Sequence, residues 1–264
     1  MGLFDKINLP AVKNVIVIAS GKGGVGKSTV SVNLAISLAR NGYKVGLVDA
    51  DIYGPSIPKM FGIEDQKPKL EVIDEKEYMT PIEKYGVKIM SIGFFVEPAQ
   101  GLIWRGPKAA GAITQLFENT VWGEIDYLLV DFPPGTGDIQ LTTIQKVPLA
   151  GAIIVTTPQQ VAVNDARKAT SMFQNPDLKV PILGIIENMS WFTPEKHPDE
   201  KYFIFGQGGG QILADEYKTE LLGQVPLVAE VGAAAELGKS VFNQANKIPM
   251  EAFEQIAKVI LEKV

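Results

Sequence analysis

The chain has 264 residues, 46% of them hydrophobic and 21% charged, which excludes a disordered polypeptide and fits one large α/β domain over residues 1–264 better than two small ones. Its 25 Lys plus Arg against 30 Asp plus Glu leave a formal net charge of −5, which disfavours non-specific attraction to nucleic acid or anionic lipid. With no cysteine, disulfides, thiolate metal sites and thiol chemistry are excluded, and no apolar run reaches the roughly 20 residues that span a bilayer.

The opening residues 1–10 lack the basic-then-apolar order of a signal peptide. A myristoylation signal after Gly2 needs Ser or Thr where Lys6 stands, so the expected compartment is the cytoplasm, with no lipid anchor and no membrane partner. Residues 15–19 form a β-branched run and predict a buried strand, and residues 27–41 carry apolar residues at helical spacing. Between them lies Gly21-Lys22-Gly23-Gly24-Val25-Gly26-Lys27-Ser28-Thr29, which satisfies the phosphate-loop pattern in the strand-to-helix context that pattern requires. Its glycines let backbone N–H groups converge on a β-phosphate, and the helix N-terminus adds its positive dipole end. Lys27 neutralises the β- and γ-phosphates of ATP, and Ser28, with Thr29 beside it, offers oxygen to Mg²⁺.

Residues 45–49 predict the next strand, which delivers Asp49 and Asp51 to the sheet edge where the phosphates sit. Phosphoryl transfer needs a group that places water in line; Asp51 is assigned that role and Asp49 the support of the Mg²⁺ shell or of Lys27, and the two roles are exchangeable. Residues 65–84 are charged and Pro-containing and predict an excursion with a small hairpin. A strand over 87–92 and a helix over 107–121 follow, and the strand over 127–131 ends on Asp131, a carboxylate placed to hold Mg²⁺ through water. In the turn Phe132-Pro133-Pro134-Gly135-Thr136-Gly137-Asp138, Gly135 lets its N–H approach a γ-phosphate, so the loop can change shape on hydrolysis.

Helices over 139–147 and 161–173 alternate with strands over 152–156 and 182–186. The whole reads as an α/β fold, a mostly parallel sheet covered by helices on both faces, binding its ligand at the C-terminal ends of the strands. Residues 192–210 form a long loop rich in Pro and Gly. In the last helix Phe253, Ile256, Ala257, Ile260, Leu261 and Val264 share one stripe, while Glu251, Glu254 and Glu262 mix with Lys258 and Lys263 opposite, the pattern of a core-docked rather than a membrane-surface helix.

Lys22 has no role in an ordinary phosphate loop. The GKGGVGKST run resembles the deviant Walker A class, which includes MinD, ParA, the nitrogenase iron protein and the Mrp/ApbC proteins. That resemblance implies a homodimer in which Lys22 reaches the nucleotide of the partner subunit and acts like an arginine finger. Within the class, DADIYGPS at 49–56, WRGP at 104–107, DFPPGTGD at 131–138, ENMS at 187–190 and GQVPL at 223–227 are together similar to the Mrp/ApbC family. The family resemblance implies that Asn188 hydrogen-bonds the adenine edge, that the Pro226 loop packs near the base, and that the protein carries or helps assemble iron–sulfur clusters for client apoproteins.

Typical members hold a bridging cluster through a Cys-x-x-Cys pair that follows Asn-Met-Ser, and residues 193–201 here read Thr-Pro-Glu-Lys-His-Pro-Asp-Glu-Lys. A Cys-ligated cluster cannot form on this chain. His197 with Glu195, Asp199 and Glu200 offers nitrogen and oxygen donors, but in no metal-binding spacing. Two other readings are a MinD/ParA-like positioning ATPase and a non-catalytic scaffold whose dimer is closed by ATP.

Overall fold

Runs such as Val-Ile-Val-Ile-Ala at 15–19 are buried on both faces, which is possible only for inner strands of a sheet covered by helices on each side. A computed structural model of the chain, describing residues 6–95, 106–194, 197 and 200–264, shows this arrangement. Its elements in chain order are β1 (Val12–Ala19), α1 (Lys27–Arg40), β2 (Val45–Asp49), α2 (Ile57–Phe61), β3 (Lys69–Ile73), β4 (Lys76–Thr80), β5 (Ile82–Lys84), β6 (Val87–Ser91), α3 (Gly106–Glu118), β7 (Ile125–Asp131) and α4 (Asp138–Lys146). They continue with β8 (Gly151–Thr156), α5 (Gln160–Phe173), β9 (Ile182–Phe192), α6 (Gly209–Glu216), β10 (Leu221–Leu227), α7 (Ala229–Glu236) and α8 (Ile248–Leu261).

Among the described residues an eight-stranded sheet runs β10-β9-β8-β1-β7-β2-β6-β5, parallel except for β5. β1 therefore lies between β7 and β8, and its loop into α1 opens where the strand order reverses, the place where open α/β sheets bind ligands. One core layer joins α1 and α8 to the sheet through Leu34, Leu38, Phe253 and Ile260, and the other joins α3, α4 and α5 through Phe117, Ile144 and Phe173.

The excursion at 65–84 forms the expected hairpin, β3 with β4. Several elements depart from the sequence reading. β9 continues to Phe192 instead of ending near 186, because β10, which the sequence reading did not identify, pairs along it from Leu221 to Leu227. α2, α6 and α7 are also additional; α2 is a single five-residue turn, α6 starts on Gly209 and Gly210 at the end of the expected loop, and α7 is too rich in alanine to show an apolar stripe. α8 docks as expected, packing on α1 and β10 so tightly that a Cβ on Gly223 would stand 2.5 Å from Ile256 Cγ1. No helix among the described residues is long and apolar enough to cross a membrane.

Candidate functional site

The loop from β1 to α1 reverses direction through Gly24 at φ +83° and Gly26 at φ +80°, left-handed conformations that side chains resist. Gly21 is glycine for another reason: a Cβ there would lie 2.0 Å from the backbone carbonyl carbon of Asp165, so the loop rests directly on α5. Gly23 meets open space. Val25 is buried in the core, fixing the loop from beneath.

Under the loop four side chains form one polar cluster. Lys27 Nζ lies 2.8 Å from Asp131 Oδ2, with Lys27 6% and Asp131 0% exposed. Ser28 donates to the same oxygen at 2.6 Å, while Ser31 donates to Asp131 Oδ1 at 2.5 Å. The parallel register of β1 with β7 brings Asp131 opposite Ile18, beside the root of the phosphate loop. Ser31 was missed by the sequence reading, although its position one turn after Lys27 puts both on one face of α1.

Asp49 stands opposite Asp131 on the neighbouring strand. Its carboxylate accepts from Ser91 Oγ at 2.9 Å and from the backbone N–H groups of Asp51 and Ile57, each at 3.2 Å, so it ties β2 to β6 and to the start of α2. Burial, with the nearby Asp131 charge, raises its pKa to about 7. Asp51 is half-buried at the cleft, and burial holds its carboxyl above the usual range against the opposing pull of Lys27.

After β7 the turn is pinned by Gln140 Nε2, which donates to the carbonyls of Pro133 and Pro134, both at 3.0 Å. Gly135, at φ +92°, spends its N–H on Ser20 O at 3.0 Å, so that group must leave the carbonyl to meet a phosphate.

Asn188 donates from Nδ2 to Val25 O at 2.9 Å, and a Cβ on Gly26 would sit 2.2 Å from that nitrogen. Its neighbour Glu187 is buried and accepts from Ser190 Oγ, Gln224 Nε2 and the backbone N–H of Gly210, which joins β9, β10 and the first turn of α6. Pro226 does not line the phosphate cleft; it borders a separate hollow of about 300 Å³ with Pro194, Val228 and Asn246.

The cleft itself has a volume of about 480 Å³. One wall is the loop with Lys22, Lys27, Ser28 and Thr29, and Asp51 and Pro134 close its sides. The facing wall is Lys59 and Met60 of α2 with Gly232, Ala235 and Glu236 of α7, bridged by a Lys59–Glu236 ion pair. Nothing in the spacing of these residues announced that wall. Lys22 makes no ion pair among the described residues.

The donors around Asp131 are hard oxygens, Ser28 Oγ and the carboxylate, and they suit Mg²⁺ beside a nucleotide phosphate. In the 192–210 segment His197 Nδ1 is 3.4 Å from Glu200, both exposed, while Glu195 and Asp199 lie outside the described residues, as do Trp104 and Arg105 of the WRGP stretch. No group of three or more metal-ligating side chains occurs among the described residues.

Comparison with known proteins gives a consistent pattern. A family model described as NUBPL iron-transfer P-loop NTPase, of the ParA group, matches residues 11–261. An iron-sulfur cluster carrier protein from Synechocystis sp. is 47% identical over 98% of this chain and 73% of its own length, and one from Aquifex aeolicus is 44% identical over 99% and 71%. Among solved structures, a nucleotide-binding protein from Archaeoglobus fulgidus in complex with ADP superposes with a TM-score of 0.76 at 38% identity, covering 92% of this chain and 93% of that one. The Pyrococcus furiosus cell division ATPase MinD, at 22% identity and a TM-score of 0.67 over 95% and 99%, shares the fold.

Proposed function

Because the chain belongs to the NUBPL-type iron-transfer P-loop NTPase family, that of the Mrp/ApbC iron–sulfur cluster carriers, we propose that it hydrolyses ATP slowly as a cytoplasmic homodimer and serves cluster carriage or assembly for client apoproteins. The observation that carries this reading is the buried cluster of Lys27, Ser28 and Asp131 directly beneath a glycine loop that lines an open cleft. On nucleotide binding Lys27 turns from Asp131 to the β- and γ-phosphates. Ser28 directly and Asp131 through water would hold Mg²⁺, with Asp49 behind them; the ion supplies neutralisation of the charge that develops on the transferred phosphoryl group.

Asp51, raised above the ordinary carboxylate range, orients the attacking water and takes up its proton. Lys22 lines the cleft without an ion partner among the described residues and is assigned to the nucleotide of the second subunit. Asn188 on β9, which pairs with Val225 of β10, and the adjoining Pro226 are assigned to the adenine side. We place the single ATPase unit across residues 1–264, with neither nucleic acid nor membrane as partner. The apolar stripe of α8 is already spent on α1 and β10, which favours the carrier reading over a membrane-positioning one.

The cargo is handled without thiolates, since the chain contains no cysteine. We therefore read it as an accessory ATPase in cluster delivery, which does not ligate the cluster through cysteine itself. The test is twofold. Mg²⁺-dependent ATP turnover per subunit should rise with protein concentration; concentration-independent turnover removes the dimer, and turnover no greater than that of Lys27→Ala removes the enzyme. A hydrolysis-arrested Asp51→Ala variant loaded with ATP should retain iron–sulfur apoproteins on a column, and retention of other clients alone would overturn the cargo.

A further inference from the structure

Asp131 is fully buried, and its two oxygens are divided between different partners. Oδ2 takes Lys27 and Ser28, the two groups that a nucleotide with its metal would recruit. Oδ1 takes Ser31 alone among the described residues, at 2.5 Å. Ser31 is itself 0% exposed and lies in the middle of the first turns of α1, where its Oγ also stands 3.1 Å from Lys27 O. It cannot swing toward a phosphate, because the helix and the sheet enclose it.

We infer that Ser31 is a positioning residue: it holds Asp131 by Oδ1, so that Oδ2 stays turned toward Ser28 when Lys27 departs for the phosphates. This rests on the proposed binding of a metal–nucleotide complex at the loop. Without the Ser31 hydroxyl, a buried carboxylate that has just lost its lysine keeps no donor of its own on Oδ1, and rotation about its last side-chain bond is unopposed. The loss falls on metal-assisted binding, since the phosphate contacts of the loop and Lys27 do not pass through Oδ1.

The experiment uses the full chain and fluorescent N-methylanthraniloyl-ATP, titrated with Mg²⁺ and separately in excess EDTA. For Ser31→Ala the Mg²⁺ concentration at half-maximal binding should rise about tenfold, the scale of one hydrogen bond to a charged group, with the EDTA affinity changed less than about twofold. The equal-volume pair Ser31→Thr and Ser31→Val separates the hydroxyl from packing: the threonine variant should keep a midpoint near wild type, the valine variant should not. Thermal melting in EDTA reports folding, and if Ser31→Ala is unfolded the Thr and Val pair carries the comparison. Equal Mg²⁺ midpoints for wild type and Ser31→Ala, or for Thr and Val, would overturn the inference. So would parallel weakening in Mg²⁺ and in EDTA. A wild-type protein whose nucleotide binding ignores Mg²⁺ would instead overturn the metal–nucleotide reading beneath it.

Discussion

Asn188 hydrogen-bonds the carbonyl of Val25 from within β9, so a residue on the strand two places from β1 in the sheet holds the middle of the phosphate loop. The contact is short, at 2.9 Å, and buried, and it leaves the side-chain oxygen of Asn188 for another donor. Loop shape and the base recognition proposed above thereby share one side chain.

Asn188→Ala should therefore weaken binding of inorganic tripolyphosphate as well as ATP, each by about tenfold, since a buried hydrogen bond of this kind contributes about 1 kcal/mol and its loss strands the Val25 carbonyl. Calorimetric titration with both ligands checks this. A loss confined to ATP would mean that Asn188 serves the base alone.

Gly26→Ala adds a Cβ 2.2 Å from the same Asn188 nitrogen, at a φ of +80°. Strain and clash act together, so the variant should bind no nucleotide at millimolar concentration and melt well below wild type. Gly23→Ala, whose Cβ meets only the open cleft, should keep the wild-type melting temperature, and a thermal melt distinguishes the two.

Lys27 and Lys22 should separate cleanly. Lys27→Ala leaves the Asp131 carboxylate buried without its cation and should cost about 3 kcal/mol of stability in the nucleotide-free protein, with loss of nucleotide binding. Asp131→Asn added to Lys27→Ala should restore much of that stability. Lys22→Ala should keep stability within about 0.5 kcal/mol and keep binding while turnover falls. Denaturant titration and a turnover assay read all three; equal loss of binding in both lysine variants would sink the trans-acting assignment of Lys22.

The sheet edge also predicts a pH dependence. Asp49 has a folded pKa near 7, above its unfolded value, so its contribution to stability is present in acid and lost as pH rises through 7. The nucleotide-free protein should melt lower at pH 8 than at pH 6, and Asp49→Asn should flatten that slope. An unchanged slope in the variant would show that Asp49 is ionised throughout.

What the sequence made legible was whatever is written in short-range pattern. The glycine loop, the β-branched strands and the carboxylates ending β2 and β7 are local signals, and the structure brings Lys27, Ser28 and Asp131 together as those signals imply. Ser31 was readable in principle from helix geometry, but its partner is 100 residues away and only the β1–β7 pairing reveals it. β10 hides because Gly223 and Pro226 interrupt a seven-residue strand, and both are tolerated there for tertiary reasons, a close Ile256 and an edge position. α7 offers Val231 as its one large apolar residue among alanines and a glycine; its place on the cleft depends on a backbone approach in which a Cβ on Gly238 would be 2.4 Å from Gly62 Cα.

The Lys27–Asp131 ion pair gives the phosphate loop an anion of its own. Nucleotide arrival is then an exchange of one anion for another on a single ammonium group, and the tightness of binding reflects the difference between the two contacts. In the reaction proposed above, a departing phosphate is replaced from within the fold and no bare lysine is left behind. Neutralising that internal competitor, as Asp131→Asn does, should slow the off-rate of ADP even as it removes support for the metal.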